Sequence, residues 1–359
     1  MSSHQYGLIL AGGRGTRFWP RSRRSSAKQV LNVVGERSLI QATVDRLKPV
    51  IPPERIWILT NDHLRDAIVR QLPEVPKKQV LSEPLQRNTA PAIGLAAHIL
   101  HSLDKDAVMG VFPADHVIGK PAAYRAVLRA ALRGAAAGNL MVVGVEPRWP
   151  ETGYGYIEFP RGSKAGGAEP VPVKRFHEKP ELRKAKRYVA AGNFYWNSGM
   201  FFWRADVLLE QLRQHLPKTA TVLASLPKFG ARNFAEKLAQ AFPLCDNISV
   251  DYAVLEKAAA KVRGIAAADF GWNDVGSWNA VYELLPRDSG GNVIAKESVC
   301  LDAFNNFVDA RGKTVALLGV SDLVVVDTPD ALLITTRGRA QQVGDVVKAL
   351  EKQKRDELL

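Results

Sequence analysis

Near its N-terminus the chain reads Leu10-Ala11-Gly12-Gly13-Arg14-Gly15-Thr16-Arg17, and Lys28 comes a short way on. Glycines let a backbone come close to a phosphate, and their N–H groups then act as donors. Arg17 and Lys28 carry charge that neutralises a triphosphate. From Arg14 to Lys28 the chain holds Arg14, Arg17, Arg21, Arg23, Arg24 and Lys28 with no acid among them. Such a concentration beside a glycine-rich turn reads as a site for a highly anionic small molecule. It is not a P-loop, because no Gly-Lys-Ser/Thr closes it. Nor is it a dinucleotide fingerprint, because the third glycine is missing. A plain glycine turn is the alternative, and the basic run after it argues against that.

The elements that must position this loop alternate. Strands are predicted over 6–10, 55–60, 79–82, 108–112 and 140–145. Helices are predicted over 38–47, 62–71, 90–100 and 122–137. Strands alternating with helices imply a Rossmann-like α/β fold, with a mixed, largely parallel sheet covered by helices on both faces. Ligands on such sheets sit at the carboxyl ends of the strands. The glycine turn and Asp115 both fall there. After about Pro150 the pattern changes. Residues 154–159 and 198–203 read as strands, 161–167 as a loop, and 181–190 and 206–215 as helices. From Asp288 short β-like segments recur at 299–301, 307–309, 315–318, 323–327 and 332–335, with a helix after them over 343–354. Their even spacing predicts a small all-β unit. The chain is therefore divided at 287/288, with residues 1–287 as a catalytic domain and 288–359 as a C-terminal β-rich unit.

Composition excludes several classes. The 359 residues are 46% hydrophobic, which is enough for a sizeable core. No apolar run has the length to span a bilayer. The first residues show no secretory signal pattern. Cys245 and Cys300 are too few for a disulfide framework, which fits a reducing, cytoplasmic setting. The net charge of +13 raises nucleic-acid binding. No helix-turn-helix, zinc finger or stacking-aromatic motif supports it, so neither nucleic acid nor membrane is expected as a partner.

Residues 10–28 resemble the signature of nucleotidyltransferases that activate sugar 1-phosphates. The wider run from Gly12 to Arg23, with Trp19-Pro20 and Ser22-Arg23, resembles the mannose-1-phosphate guanylyltransferases in particular. The chain departs from that family at Ala27, where proline usually precedes the lysine. This alters loop stiffness more than chemistry, because Lys28 is retained.

The resemblance extends in order along nearly the whole chain, and it implies roles for further residues. Glu83-Pro84 with Arg87-Asn88-Thr89-Ala90 is similar to a base-recognition segment, although Asn88 or Thr89 also suits a helix N-terminus. Phe112-Pro113-Ala114-Asp115-His116 is similar to a metal-binding aspartate loop. Gly153-Tyr154-Gly155-Tyr156 and Glu178-Lys179-Pro180 resemble sugar-phosphate contacts, and Trp196-Asn197-Ser198-Gly199 a sugar-pocket strand. Trp272-Asn273-Asp274-Val275-Gly276 resembles a second metal-aspartate turn. The resemblance implies transfer of GMP from GTP to mannose 1-phosphate, with Asp115 and Asp274 holding Mg²⁺. Arg17, Lys28 and Asp115 become the catalytic candidates, with Leu10 to Thr16 around the nucleotide. His116 needs no catalytic role. A short β-helix-like C-terminal unit and a homodimer are implied as well. Transfer to another sugar or base, or a non-catalytic homologue, are the rival readings. Retention of Lys28, Asp115 and Asp274 weighs against the second.

Overall fold

The computed structural model describes residues 4–167, 169–295 and 298–359. Its main sheet is built on strands β1 (Gln5–Leu10), β2 (Ile56–Thr60), β3 (Val80–Ser82) and β4 (Val108–Pro113). A short pair links β5 (Val117–Ile118) to a later strand. β6 (Leu140–Val145), β7 (Tyr156–Glu158), β8 (Val171–Pro172), β9 (Arg175–His177), β10 (Phe194–Arg204) and β11 (Val262–Ala267) complete the sheet. The order is β3-β2-β1-β4-β10-β6-β11-β8, with β7 paired to β10 and β9 paired to β7. β3, β2, β1 and β4 run parallel, as do β6 and β11, whereas β10 lies antiparallel between β4 and β6. The sheet is thus mixed and largely parallel, as expected. The sequence could not reveal the direction of β10, because a strand buried on both faces reads alike either way.

Side-chain alternation splits the core into two layers. Leu8, Trp57, Leu59, Met109 and Val111 face one side, where α3 (below) packs; Ile9, Ile56, Ile58, Val108 and Phe112 face the other. Helices α1 (Leu39–Leu47), α2 (Asp62–Gln71), α3 (Thr89–Leu103) and α4 (Pro121–Ala136) connect the early strands. Ser38 starts α1 with a capping box to Gln41, and Asn61 caps α2. α5 (Leu182–Ala191) and α6 (Ala205–His215) match expectation. α7 (Pro217–Ala224), α8 (Phe234–Ala241) and α9 (Trp278–Leu284) were not legible in the periodicity. The expected 198–203 strand is the end of the longer β10, whose register shifts between Asn197 and Phe201.

β12 (Trp272–Asn273) pairs with β5. The C-terminal unit holds β13 (Val299–Leu301), β14 (Phe307–Asp309), β15 (Ala316–Leu318), β16 (Leu323–Asp327) and β17 (Leu332–Thr336), then α10 (Val343–Lys352). β13 pairs in parallel with β15, and β14 with β16, so the chain coils in the manner of a short β-helix. Buried asparagines stitch the coils. Asn306 Nδ2 donates to Asn292 Oδ1 (2.9 Å) and to the Val320 carbonyl (3.1 Å). Phe18, Trp19, Trp278, Phe307, Val324, Val343 and Leu359 share one apolar cluster, which locks this unit against the glycine loop.

Candidate active site

The carboxyl ends of β1, β2, β3 and β4 bring the glycine loop, Asn61, Glu83 and Asp115 to one edge of the sheet. The loop's carbonyls are tied down from below. Gln29 Nε2 donates to the carbonyls of Ala11 (2.6 Å) and Gly13 (3.0 Å), and Thr60 Oγ1 donates to Ala11 (3.0 Å). Gly15 has φ +62°, and a Cβ there would lie 2.5 Å from the Lys28 Cβ. Only glycine lets Lys28 come so close.

Lys28 is buried, and its Nζ donates to Asp115 Oδ2 (2.8 Å) and to the Asp274 carbonyl (2.7 Å). This ammonium therefore joins the two turns that carry the candidate metal aspartates. Burial pushes the Asp115 carboxyl up, but the Lys28 charge and the Lys28 hydrogen bond more than offset it, so it lies below the usual carboxylate range. Asp274 Oδ1 accepts from the Tyr154 hydroxyl (2.5 Å). Burial first, and then the Asp274 charge, hold that hydroxyl firmly protonated. His116 accepts at Nδ1 from Trp272 Nε1 (3.1 Å), and burial pulls its pKa down to about 4. It is a neutral spacer at working pH. Asp115 and Asp274, on the two turns that Lys28 joins, offer carboxylate oxygens of the kind that suits a hard divalent ion. By contrast, His4, Asp104 and Asp106 group before β1 and β4, at the opposite end of the sheet from the glycine loop.

Beside the glycine loop lies a cleft of about 460 Å³ lined by Leu10, Gly12, Gly13, Glu83, Gln86, Asn88, Thr89, Ala92 and Asn247. Asn88, at φ 64°, turns the chain into α3, and its side chain accepts from the Thr89 N–H. Ala90 is buried, and its N–H donates to the Ile248 carbonyl (3.1 Å). The Arg87 guanidinium donates to the Pro243 carbonyl, and Arg87 does not line this cleft. Burial raises the Glu83 carboxyl to about 7. Gln86 and Asn247 went unread in the sequence, because neither stands in a patterned motif.

On the other side of Asp274, Glu178 and Asn197 meet at Gly155. The Asn197 N–H donates to the Gly155 carbonyl (2.8 Å), and a Cβ on Gly155 would lie 2.5 Å from Glu178 Oε2. A side chain at Gly155 would therefore push the Glu178 carboxylate aside. Asn197 Nδ2 donates to Asp251 Oδ1 (2.9 Å). Burial, and then the Glu178 charge, push Asp251 up to about 6. Lys179 Nζ pairs with Glu178 Oε1 (3.2 Å) and is largely exposed. Gly153 donates its N–H to Glu151 Oε1 (2.8 Å).

The arginines of the basic run are arranged differently from the sequence reading. Arg21 makes a two-pronged pair with Asp309 (2.9 and 2.8 Å), and Arg23 another with Asp330 (3.1 and 3.2 Å). Arg14 pairs with Glu351 (2.6 Å) and Arg24 with Asp356 (3.1 Å). Much of the charge read as a phosphate site instead fastens the C-terminal unit to the glycine loop. These acids lie some three hundred residues downstream, where no local pattern reveals the pairing. Arg21 and Asp309 are mostly buried, and Arg21→Ala leaves the Asp309 carboxylate to the exposed Arg311 Nε (3.1 Å). We expect it to cost about 2 kcal/mol, read as a lower urea midpoint, while Arg24→Ala at the exposed pair shifts that midpoint little.

The chain matches the nucleotidyl transferase model over residues 6–289. The chain belongs to the nucleotidyl transferase family. A MannoseP isomerase/GMP-like beta-helix domain model matches residues 296–350 of this nucleotidyl transferase. It is 40% identical to the xanthan biosynthesis protein XanB of Xanthomonas campestris pv. campestris, over 98% of this chain and 74% of that protein. It is also 40% identical to the mannose-1-phosphate guanylyltransferase of Escherichia coli (strain K12), over 99% of this chain and 75% of that one. Its fold is similar to that of a Thermus thermophilus protein described as a mannose-1-phosphate geranyltransferase, with a TM-score of 0.85, 35% identity, and coverage of 97% and 99%. Among the described residues of the nucleotidyl transferase no helix is long and apolar enough to cross a membrane.

Proposed function

We propose that this chain transfers GMP from GTP to mannose 1-phosphate, forming GDP-mannose and pyrophosphate. The observation that carries the reading is Lys28, which joins the Asp115 and Asp274 turns, with a nucleotide-sized cleft beside the glycine loop and Glu178 and Asn197 meeting at Gly155.

Such a reaction needs no protein nucleophile. An oxygen of the mannose 1-phosphate attacks the α-phosphorus of GTP, and the bond to the β-phosphate's bridging oxygen breaks in line. The protein brings two polyanions together and absorbs the developing charge. In this assignment the backbone from Leu10 to Thr16, with Arg14, Arg17 and Lys28, holds the triphosphate. Arg14 must first leave Glu351. Glu83, Asn88 and Thr89 face the base from the cleft wall, while Arg87, bonded to the Pro243 carbonyl, and the buried Ala90 stand behind them. Gly153, Tyr154, Gly155, Glu178 and Asn197 take the sugar, and Lys179 its phosphate. Asp115 and Asp274 are the residues that would hold Mg²⁺, which when bound would supply charge neutralisation to the reacting phosphates. Tyr154 holds the Asp274 carboxylate in place. His116, neutral and hydrogen-bonded to Trp272, takes no proton.

Glu83 gives the base assignment a pH signature. Guanine offers N1–H and its 2-amino group as adjacent donors, and an ionised carboxylate accepts both. Burial holds Glu83 near 7, so the free protein carries the acid form below that pH. GTP affinity should therefore fall as pH drops through 7, by about tenfold at pH 6 relative to pH 8. Glu83→Gln should bind GTP weakly at both pH values. Calorimetric titration checks this, and a flat profile in the parent protein would remove Glu83 from base recognition.

We also propose the division at 287/288, a cytoplasmic setting in keeping with the unpaired Cys245 and Cys300, and a homodimer. Val299, Leu301 and Leu318 on β13 and β15 are 50%, 57% and 71% exposed, with Phe304 beside them at 52%. Strand edges and apolar side chains there favour a second copy as the cover. Light scattering at micromolar concentration should give twice the 39.4 kDa chain mass, and Leu301→Lys with Leu318→Lys should return the monomer mass.

The activity is tested by incubating the protein with each NTP and several sugar 1-phosphates, with Mg²⁺ or excess EDTA, and measuring pyrophosphate. GTP with mannose 1-phosphate should dominate and EDTA should abolish it. Preference for UTP or dTTP would overturn the guanylyl assignment.

A further inference from the structure

Arg14, Arg21, Arg23 and Arg24 meet carboxylates of the C-terminal unit, but Arg17 meets a neutral amide: its Nη1 donates to Gln341 Oε1 at 2.6 Å. A carboxylate there would fix the guanidinium and cancel its charge. An amide oxygen fixes it and leaves the charge for an anion. Gln341 is exposed, but the backbone that carries it is anchored by its neighbours. It lies in the turn Arg337–Gln342, whose Ala340 is buried. Arg337 Nε donates to Asn279 Oδ1 (2.8 Å), and its guanidinium stacks 3.7 Å from the Tyr282 ring. Just beyond, Gly344 of α10 stands against the glycine loop, where a Cβ would make ordinary contact with Thr16 Oγ1 (3.4 Å) and Arg17 Cγ (3.8 Å). Gln341 also lines a cavity of about 340 Å³ with Tyr154, Asp274 and Gly276, and the Arg17 Nη1 lies 3.5 Å from where a Gly276 Cβ would stand.

We propose that Gln341 is a positioning residue, contributed by the C-terminal unit, that holds Arg17 beside Asp274 with its charge free to meet the polyphosphate. This rests on the assignment of Arg17 to the triphosphate. Without the amide, Arg17 is a long exposed side chain that must be ordered each time GTP binds, which weakens binding.

The test uses the full chain with Gln341→Ala, Arg17→Ala, the double variant and Gln341→Glu. GTP affinity is read by titration, and KM and kcat for both substrates by pyrophosphate release. Gln341→Ala should weaken GTP binding by about tenfold, the size of one charged hydrogen bond. The KM for mannose 1-phosphate and the urea midpoint should be unchanged. In the Arg17→Ala background the same change should add nothing, a non-additivity that a general structural role would not produce. Gln341→Glu holds Arg17 but neutralises it, so it should lose at least as much GTP affinity as Gln341→Ala. Normal GTP binding by Arg17→Ala would sink the Arg17 assignment itself. A weakened Arg17→Ala with a normal Gln341→Ala, or losses that multiply in the double variant, would overturn the role of Gln341 alone. Wild-type affinity in Gln341→Glu would contradict the need for a neutral acceptor.

Discussion

Asp115→Asn and Asp274→Asn should each lower turnover by a hundredfold or more, the usual cost of one lost transition-state stabiliser, which is roughly a hundred- to a thousandfold. The two changes differ in their side effects. Asp115→Asn removes the carboxylate that neutralises Lys28 at 2.8 Å. The freed ammonium should then hold GTP at least as tightly while the chemical step slows. Asp274→Asn keeps the carbonyl that Lys28 bonds and keeps an acceptor for the Tyr154 hydroxyl, so the turn should stay in place. Both variants should therefore fold, as checked by circular dichroism and urea titration, and both should bind GTP in the absence of metal. Near-normal turnover in either folded variant would return that aspartate to a purely structural role.

The second large effect separates two lysines. Lys28 stands against Gly15 and bonds both aspartate turns, whereas Lys179 is exposed and pairs with Glu178. Lysine acts on phosphate as a point charge. Lys28→Ala should weaken GTP binding and lower kcat by a hundredfold or more, since triphosphate charge changes during the reaction. Lys179→Ala should chiefly raise the KM for mannose 1-phosphate, a ground-state effect. Titration with GTP alone separates binding from chemistry. If Lys179→Ala loses GTP affinity while Lys28→Ala keeps it, the two substrates lie the other way round.

The glycine loop, the aspartate turns and the positions of the early strands were legible because each is local. Leu10 to Thr16 must close a strand, and Gly15 is forced by Lys28 within the same N-terminal stretch. What the sequence hid depends on distance along the chain. The basic run looked like one phosphate site because Asp309, Asp330, Glu351 and Asp356, its partners, lie at the far end of the molecule. Tyr154 was read only as part of a Gly-Tyr-Gly turn, yet it bonds Asp274 across 120 positions. Asp251 stands in a five-residue π-helical turn, Asp251–Leu255, which has no periodic signature, and its link to Asn197 was invisible. Gln341 is a polar residue in a short 3₁₀ turn, and only the fold brings it to Arg17.

Transfer of an intact GMP unit is tested most directly by ³¹P NMR of the protein with GTP, mannose 1-phosphate and Mg²⁺. The GTP and mannose 1-phosphate signals should fall together, with GDP-mannose and pyrophosphate rising in equal amounts. Release of inorganic phosphate with GDP, or GTP left intact while mannose 1-phosphate is present, would contradict it.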